Sequence, residues 1–396
     1  MRASPAGIPA LPAAPRAKRE GGEDVKRATN RTPTTPQRMP PRFRSLFSRV
    51  RGISLIELMI GMTIGLISLL VIVQTFSVSN AHKSNTVSGA DATTAGYIAL
   101  TLIERDLLSA GGGIGMMQCS EIRQIDATET VQAFTLPVMI TANTTAGSLN
   151  NRSDRITIRT IETAATLGSA MITDGMPDPS AILFGNNAIN FANNDLFLLH
   201  EPGKPCVVLQ LTQTPGESGG KWRFNRNPSS PYNPAANNKT YFPAGGYSEG
   251  VGRILSLGSR GILLNEYSLT YRSTNGSTPN SDLQVRRNDA NGTQTVAITR
   301  DVIALRAQYG WWDHVTKKVS FSSTTKAGAG PNDLAAVRIG IVVRASQRDG
   351  SYTAPAEIKL FDYDTPLTIT LSGDELNYRY RTFETVVPLR NTIWNR

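Results

Sequence analysis

The longest apolar stretch of the chain runs from Ile53 to Val73, and Glu57 is its only charged residue. A helix of this length rises about 32 Å, which is enough to cross the hydrocarbon core of a bilayer. Further along, apolar residues recur at helical spacing, at Tyr97, Leu100, Ile103 and Leu107. The pattern predicts one long helix, with a membrane half over residues 53–80 and a periplasmic half over residues 81–110 that packs on a sheet.

After the helix the pattern changes to that of β-strands. Three glycines at 111–113 stop the helix. Residues 154–159 and 337–344 alternate between apolar and polar positions, which predicts strands with one core face and one wet face. The predicted fold class is α+β, with a mainly antiparallel, β-rich domain over residues 111–396. Within it, residues 213–247 are rich in Pro, Gly, Asn and Ser and predict a long loop.

The formal net charge of +10 is concentrated in residues 1–52. Twelve Lys and Arg residues and three acidic residues lie there, so the rest of the chain is nearly neutral. A nucleic-acid groove in the folded part is therefore not expected. The same residues include few large apolar side chains, which predicts a disordered basic leader. A translation start at Met39 is an alternative that would shorten this leader.

Four arginines stand shortly before the apolar stretch, at 42, 44, 49 and 51. By the positive-inside tendency they place the N-terminus in the cytoplasm and the β-rich domain in the periplasm, with a single span of the inner membrane. Cys119 and Cys206 both lie on the oxidising side. A disulfide between them is expected, with two buried free thiols as the alternative.

The carboxylate of Glu57 is costly inside a membrane helix and requires a reason. A cleavable secretory signal has a shorter apolar run than this one. A plain signal anchor explains the length of the run and leaves Glu57 unexplained. The motif Gly52-Ile53-Ser54-Leu55-Ile56-Glu57 resembles instead the processing site of type IV prepilins, which is a Gly, an apolar residue, Ser or Thr, two more apolar residues and Glu.

This resemblance implies a defined processing and assembly chemistry. A prepilin peptidase would cleave the Gly52–Ile53 bond, and the new amino group of Ile53 would be N-methylated. Glu57 would become the fifth residue of the mature chain and would face the charged amino terminus of a neighbouring subunit. An amine and a carboxylate that are each costly alone in hydrocarbon are tolerable as a pair. The chain has Ile53 where the family most often has Phe.

Both ends of the mature chain resemble the PilW family of minor pilins and, more loosely, the J-type pseudopilins of type II secretion. The segments that carry the resemblance are Leu102–Leu107, Val302–Tyr309, Ala336–Arg344 and Arg381–Asn391. They imply a pilin-like fold and a minor pilin that initiates or caps a type IV pilus, the cell-surface fimbrium of twitching motility. The implied partners are the prepilin peptidase, the major pilin, other minor pilins and a large tip adhesin.

No residue pattern for catalysis, cofactor binding or metal binding stands out, so an enzyme is not expected. The three histidines lack metal-ligand partners at suitable spacing. The run from Gly216 to Gly220 matches a nucleophile elbow only formally, because no helical pattern follows Ser218. Residues 289–292 match part of a calcium loop without its other acids, and a hairpin turn is the better interpretation.

Two other functions fit parts of the sequence. A J-type pseudopilin of a type II secretion system would share the processing motif and the C-terminal pattern. A membrane-anchored binding protein without a filament role would keep the Gly52–Ile53 bond intact and would tolerate the loss of the Glu57 carboxylate. The mass of the mature N-terminus separates the last function from the first two, and the neighbouring genes separate a pilus from a secretion system.

Overall fold

The computed structural model describes residues 52, 54–112, 119–125, 130–142, 152–161, 168–177, 182–228, 230–234, 239–272, 280–364 and 366–393. The predicted leader up to Arg51, and Ile53, lie outside these residues. The main helix, α1, spans Leu55–Leu108, so both predicted halves belong to one continuous helix. It ends in a turn where Gly111 has a left-handed φ of 69°, as the run of glycines predicted.

Strands follow the helix through the rest of the described chain. The first ten described strands are β1 (Ile122–Ile125), β2 (Val131–Phe134), β3 (Val138–Ala142), β4 (Asp154–Ile161), β5 (Ser169–Met171), β6 (Leu183–Gly185), β7 (Leu196–His200), β8 (Cys206–Gln210), β9 (Gly216–Ser218) and β10 (Lys221–Phe224). The others are β11 (Arg253–Gly258), β12 (Ile262–Arg272), β13 (Asn280–Asp289), β14 (Gly292–Arg300), β15 (Val302–Asp313), β16 (Lys318–Ser322), β17 (Leu334–Arg348), β18 (Glu357–Leu360), β19 (Leu367–Thr370) and β20 (Tyr378–Pro388). A short helix, α2 (Arg390–Ile393), comes last.

One part of the β-rich domain, the helix-bound module, consists of two sheets that pack with α1. Their strand orders are β14-β13-β12-β4-β3 and β16-β15-β17-β20, in antiparallel pairs throughout. The shared core combines side chains of the helix and of both sheets, among them Ile103, Ile156, Leu305 and Ile339. This arrangement confirms the predicted α+β class, a long helix on a mainly antiparallel sheet.

β17 lacks the wet face that its alternation predicted, because residues 334–345 are all buried. One face meets the core beside α1, and β18, β19 and Phe361 cover the other. On the covered face the Arg338 guanidinium lies 4.3 Å from the centre of the Phe321 ring and 4.5 Å from that of Phe361. Its Nε donates to Gln308 Oε1 at 2.6 Å. The prediction was wrong because rings and an amide take the place of water around this charge.

A second part, the inserted module, is built from residues 119–134 and 168–258, which flank β3 and β4 in the chain. Its strands form a six-stranded sheet of order β2-β1-β8-β7-β11-β5 and a three-stranded sheet of order β6-β10-β9. Strands β1 and β8 run parallel. The module has a hydrophobic core of its own, which includes Phe197, Val207 and Ile254.

The predicted loop at 213–247 belongs to the inserted module and is not one continuous loop. It contains β9, β10 and a 3-10 turn at Lys239–Tyr241. Tyr241 and Tyr247 are buried in the module's core, and the Tyr241 hydroxyl lies 2.6 Å from the Val208 carbonyl oxygen. The aromatic residues that composition placed in a loop therefore pack as core residues.

Candidate assembly site

The predicted processing motif stands at the start of α1. Gly52 is exposed, and Ile53 lies outside the described residues. The carbonyl oxygen of Ser54 accepts from the N–H of Glu57 at 2.9 Å and from that of Leu58 at 3.1 Å, which begins the helix. Glu57 thus lies in the first helical turn with an exposed side chain, where a carboxylate also interacts favourably with the helix dipole. The Glu57 side chain is therefore accessible at the surface of the helix.

The apolar side chains that follow Glu57 are uncovered. Leu58 exposes 48% of its surface and Phe76 exposes 67%, and the other large apolar residues up to Val78 fall between these values. The helix is long and apolar enough to cross a membrane, with a mean hydropathy of 2.5 in its most apolar part. So much exposed apolar surface requires lipid or protein around it.

The later half of α1 packs on the helix-bound module mainly through small side chains. Its buried positions include Ser88, Ala92, Gly96, Ala99, Ile103 and Leu107, at intervals of three or four residues. At Gly96 an added Cβ would lie 2.0 Å from a ring carbon of Phe383 on β20. The neighbouring Tyr97 ring makes an edge-to-face pair with Phe383, with centroids 5.3 Å apart. The absence of a side chain at Gly96 therefore permits the contact between the helix and the C-terminal strand.

Replacing Gly96 by alanine is expected to weaken this packing. The new methyl group must displace the helix or the Phe383 ring, which costs about 1–3 kcal/mol, as overpacked cores do. Denaturant unfolding of the full chain in detergent measures the loss. Gly89→Ala is the matched control on the same helix, because nothing lies within 4 Å of a Cβ at Gly89. A Gly96→Ala protein as stable as the Gly89→Ala control would contradict the prediction.

A buried carboxylate attaches the end of α1 to the five-stranded sheet. Asp106 Oδ2 accepts from the Tyr267 hydroxyl at 2.6 Å and from the Asn265 side-chain amide at 2.8 Å, both on β12. Burial raises the pKa of the Tyr267 hydroxyl, and its hydrogen bond to Asp106 raises that pKa further. The phenol therefore remains a hydrogen-bond donor at physiological pH. Arg105, which lies 3.4 Å from the other carboxylate oxygen, is largely exposed.

The sequence resemblance included Asp106 within the segment Leu102–Leu107 and missed its two partners, Asn265 and Tyr267. Asn265 and Tyr267 are two residues apart on β12, so they project from the same face of the strand. A pair of polar side chains on a face that also packs in the core is a signal that the sequence does contain. That signal could not identify Asp106 as the partner of Asn265 and Tyr267, because Asp106 is about 160 residues away in the chain.

The C-terminal segment closes on the same helix end. The Asn391 side-chain amide donates to the carbonyl oxygen of Ala110 at 3.0 Å. The N–H of Leu389 donates to the carbonyl oxygen of Ala335 at 2.9 Å, and the Leu389 side chain is buried. The Leu-Arg-Asn end of the predicted C-terminal pattern thus has a physical role, since it satisfies a carbonyl group that the helix leaves without an internal partner.

The structure joins Cys119 and Cys206 in the expected disulfide, with Cα atoms 5.6 Å apart. Cys206 is the first residue of β8 and is fully buried. It pairs with Ile122 in the parallel ladder between β1 and β8. The bond therefore ties the chain that leaves α1 to the sheet of the inserted module.

The other sequence motifs occupy structural positions. Ser218 ends β9, and a Gly219–Gly220 turn leads to β10, so a strand follows where a nucleophile elbow has a helix. The part of the calcium-loop pattern at 289–292 closes the β13–β14 hairpin. Across the described ranges, no group of three His, Cys, Asp or Glu side chains is placed to hold a metal ion.

A groove of about 680 Å³ runs beside α1 from His82 to Thr93. Its opposite wall includes Asp349, which accepts from Asn85 Nδ2 at 3.0 Å and from Arg379 Nη2 at 2.9 Å. The Arg379 guanidinium also lies 4.5 Å from the centre of the Tyr352 ring. These side chains bond one another across the groove, so they hold its walls together.

Comparison with known proteins locates the family resemblance. Residues 267–391 match the family described as Type IV Pilus-assembly protein W, PilW. A search of curated proteins finds no match. The matched range runs from Tyr267 on β12 to Asn391 on α2, and so includes Tyr267, Phe383 and Asn391, which contact Asp106, Gly96 and Ala110. Asn265, the other partner of Asp106, lies just before it. It does not include the processing motif at 52–57. The chain therefore resembles the PilW family over residues 267–391, and this match relates it to type IV pilus assembly.

Proposed function

We propose that the protein is a minor pilin that initiates or caps a type IV pilus after a prepilin peptidase cleaves the Gly52–Ile53 bond. One observation carries the proposal: an exposed apolar helix, with Glu57 in its first turn, is joined to a PilW-family sheet. The helix suits a membrane before assembly and a bundle of helices after it, because both surroundings cover the same apolar surface.

Removal of the leader lowers the energetic cost of moving the helix from the membrane into the filament. Residues 1–52 carry nine of the ten net positive charges of the chain. A helix that enters a filament with this segment attached would bring those charges into an apolar bundle, where each is costly unless paired. Cleavage leaves one amine, on Ile53, at the end that enters the bundle, and Glu57 supplies the carboxylate that pairs with it on a neighbouring subunit.

The proposal also assigns location and partners. The precursor spans the inner membrane once, with its N-terminus in the cytoplasm and its two modules in the periplasm, and the assembled protein lies in the pilus at the cell surface. The peptidase acts at the cytoplasmic face. The major pilin and other minor pilins surround the apolar helix, and a large tip adhesin is a further partner at the filament end.

The mass of the mature N-terminus tests the class of protein. We expect the protein from host membranes to begin with N-methylated Ile53, and the protein from a strain without the prepilin peptidase to keep the residues before it. Mass spectrometry of the N-terminal peptide measures both. An intact Gly52–Ile53 bond in the peptidase-positive strain would contradict the proposal and would favour a membrane-anchored binding protein.

A deletion strain tests the kind of filament. A minor pilin that initiates assembly predicts fewer surface pili and a loss of twitching motility. Normal pili and twitching with a loss of protein secretion would instead support a J-type pseudopilin, whose C-terminal pattern the chain shares. Complementation with the full chain is the control, because it separates loss of this protein from effects on neighbouring genes.

A further inference from the structure

β14 is an edge strand with little protection against pairing. Within the described parts of the chain it pairs with β13 and with no other strand. Residues 292–297 are all exposed, with Val296 at 46% exposure. No charged residue or proline occurs between Gly292 and Thr299. Natural edge strands are usually blunted by such residues, because an open row of N–H and C=O groups recruits other strands.

Other edges of the helix-bound module are protected. At the far edge of the same sheet, the Tyr309 hydroxyl lies 2.6 Å from the main-chain nitrogen of Ile140, the central residue of β3, and occupies that outward N–H. At the edge of the other sheet, β20 carries Arg379, Arg381 and Glu384. The remaining edge strand, β16, spans only five residues and begins with Lys318, and shortness and lysine both blunt an edge. The contrast singles out β14 as the edge that can accept a further strand.

The hairpin geometry shows which main-chain groups are available. Asp289 and Gly292 pair across a loop of two residues, and such a loop closes on a hydrogen-bonded pair. Since hydrogen-bonded and non-bonded pairs alternate along an antiparallel ladder, Thr293, Thr295 and Ala297 direct their N–H and C=O groups away from β13. These three residues form a regular template, which ends at the bulge beyond Ala297.

The neighbouring charges indicate the kind of strand that fits. Arg286 and Arg287 on β13 are exposed and stand opposite Thr295 and Gln294. Glu266, which stands opposite Arg286 from β12, lies 3.5 Å from Arg155. A strand added to β14 would lie about 10 Å from β13, a gap that an arginine and a facing glutamate can span alongside Thr295 and Gln294 of β14. Because Arg286 and Arg287 lie on opposite faces of the sheet, acidic side chains on either face of the added strand would be attracted to one of them.

We propose that β14 binds an extended acidic segment of another pilin-like subunit as an additional β-strand. Main-chain hydrogen bonds to Thr293, Thr295 and Ala297 provide the attachment, and carboxylates facing Arg286 and Arg287 select the partner. The inference rests on the proposed filament role for the choice of partner, and it goes beyond that role by placing a contact on the sheet, far along the chain from the helix motif.

Photo-crosslinking in host cells tests the contact with the full-length protein. A photoreactive amino acid replaces Gln294, whose side chain is exposed and whose main chain bonds β13. We expect a crosslink to an acidic segment of another pilin-like subunit, identified by mass spectrometry of the joined peptides. In Thr295→Pro the outward N–H is lost, so the crosslink is expected to fall about tenfold, the effect of one or two main-chain hydrogen bonds. Thr295→Val keeps the N–H and is expected to retain the crosslink.

A second variant avoids any change of backbone. Reversal of both charges in Arg286→Glu/Arg287→Glu is expected to reduce the crosslink severalfold while circular dichroism and the melting temperature stay close to those of the parent. A crosslink that persists in Thr295→Pro and in the charge reversal, a crosslink to a second copy of this chain, or no intermolecular crosslink would each overturn the inference. The N-terminal mass of the same samples reports cleavage at Gly52, so a failure of the filament role is seen separately.

Discussion

Replacing Glu57 by alanine is expected to prevent incorporation of the protein into filaments while its insertion and cleavage continue. The carboxylate is exposed at the start of α1, so its removal costs the isolated subunit only the small favourable interaction with the helix dipole. In the assembled bundle, however, the amine of a neighbouring Ile53 would then be buried without a partner. Breaking such a buried pair costs about 3–5 kcal/mol, which corresponds to a fall of more than about a hundredfold in incorporation.

The measurement compares sheared filaments with membranes for the amount of this protein and for its N-terminal mass. Glu57→Gln is the first control, because it keeps the size and polarity of the side chain and removes the charge, and it is expected to fail as alanine does. Glu57→Asp retains the charge on a shorter side chain and is expected to assemble in part. Normal incorporation of Glu57→Ala would show that the carboxylate has no role between subunits.

Part of the fold follows from local patterns in the sequence. The helix was predictable because its two halves have different but continuous signatures, an uninterrupted apolar run and then a stripe that ends at three glycines. The strands at 154–161 and 334–348 were predictable for a similar reason, since alternation is a local property. The disulfide between Cys119 and Cys206 was predictable because both cysteines follow the apolar stretch in the chain.

The rest depends on contacts between residues far apart in the chain. The inserted module is made from two stretches separated by β3 and β4, and its parallel pair β1–β8 joins residues more than eighty positions apart. No local sequence pattern predicts that β1 pairs with β8. The burial of Tyr241 was missed for the same reason, because its surroundings in sequence are Pro, Gly and Asn while its surroundings in space are apolar.

The candidate site also has a part that local sequence patterns predicted and a part that depends on residues far apart in the chain. The processing motif is a continuous string of residues, so a resemblance could be recognised there directly. The attachment of the helix end could not, because Asp106, Gly96 and Ala110 each meet a residue on a strand or helix that follows much later. Three of these partners, Tyr267, Phe383 and Asn391, lie within the range that matches the PilW family, while Asn265 and residues of β4 also contact the helix end from outside that range.

This division also gives the two modules different expected roles. The family match covers most strands of the helix-bound module and none of the inserted module. The need to hold α1 in place would restrict which residues the helix-bound module can have. The inserted module has its own core and is attached through β4, β12 and the disulfide. Surface changes on the inserted module are therefore expected to alter partner contacts more than the seating of the helix.

Removing the disulfide is expected to destabilise the inserted module first. Cys119 and Cys206 are 87 positions apart, and the chain-entropy argument gives about 4 kcal/mol for a loop of this size, with measured values often lower. Cys119→Ala/Cys206→Ala is the better variant, because serine would place a hydroxyl in the apolar cluster around the buried Cys206. We expect the free energy of unfolding of the full chain in detergent to fall by about 2–4 kcal/mol.

Hydrogen exchange shows where that stability is lost. Amides of β1, β7 and β8 in the double-alanine variant are expected to exchange much faster than in the parent, while those of β17 change little because its core is separate from the disulfide. Reduction of the parent protein is the control, since it should reproduce the pattern and have no effect on the variant. Equal acceleration in β17 would mean that the two modules unfold as one unit, and the separate roles assigned to them would then have no basis in stability.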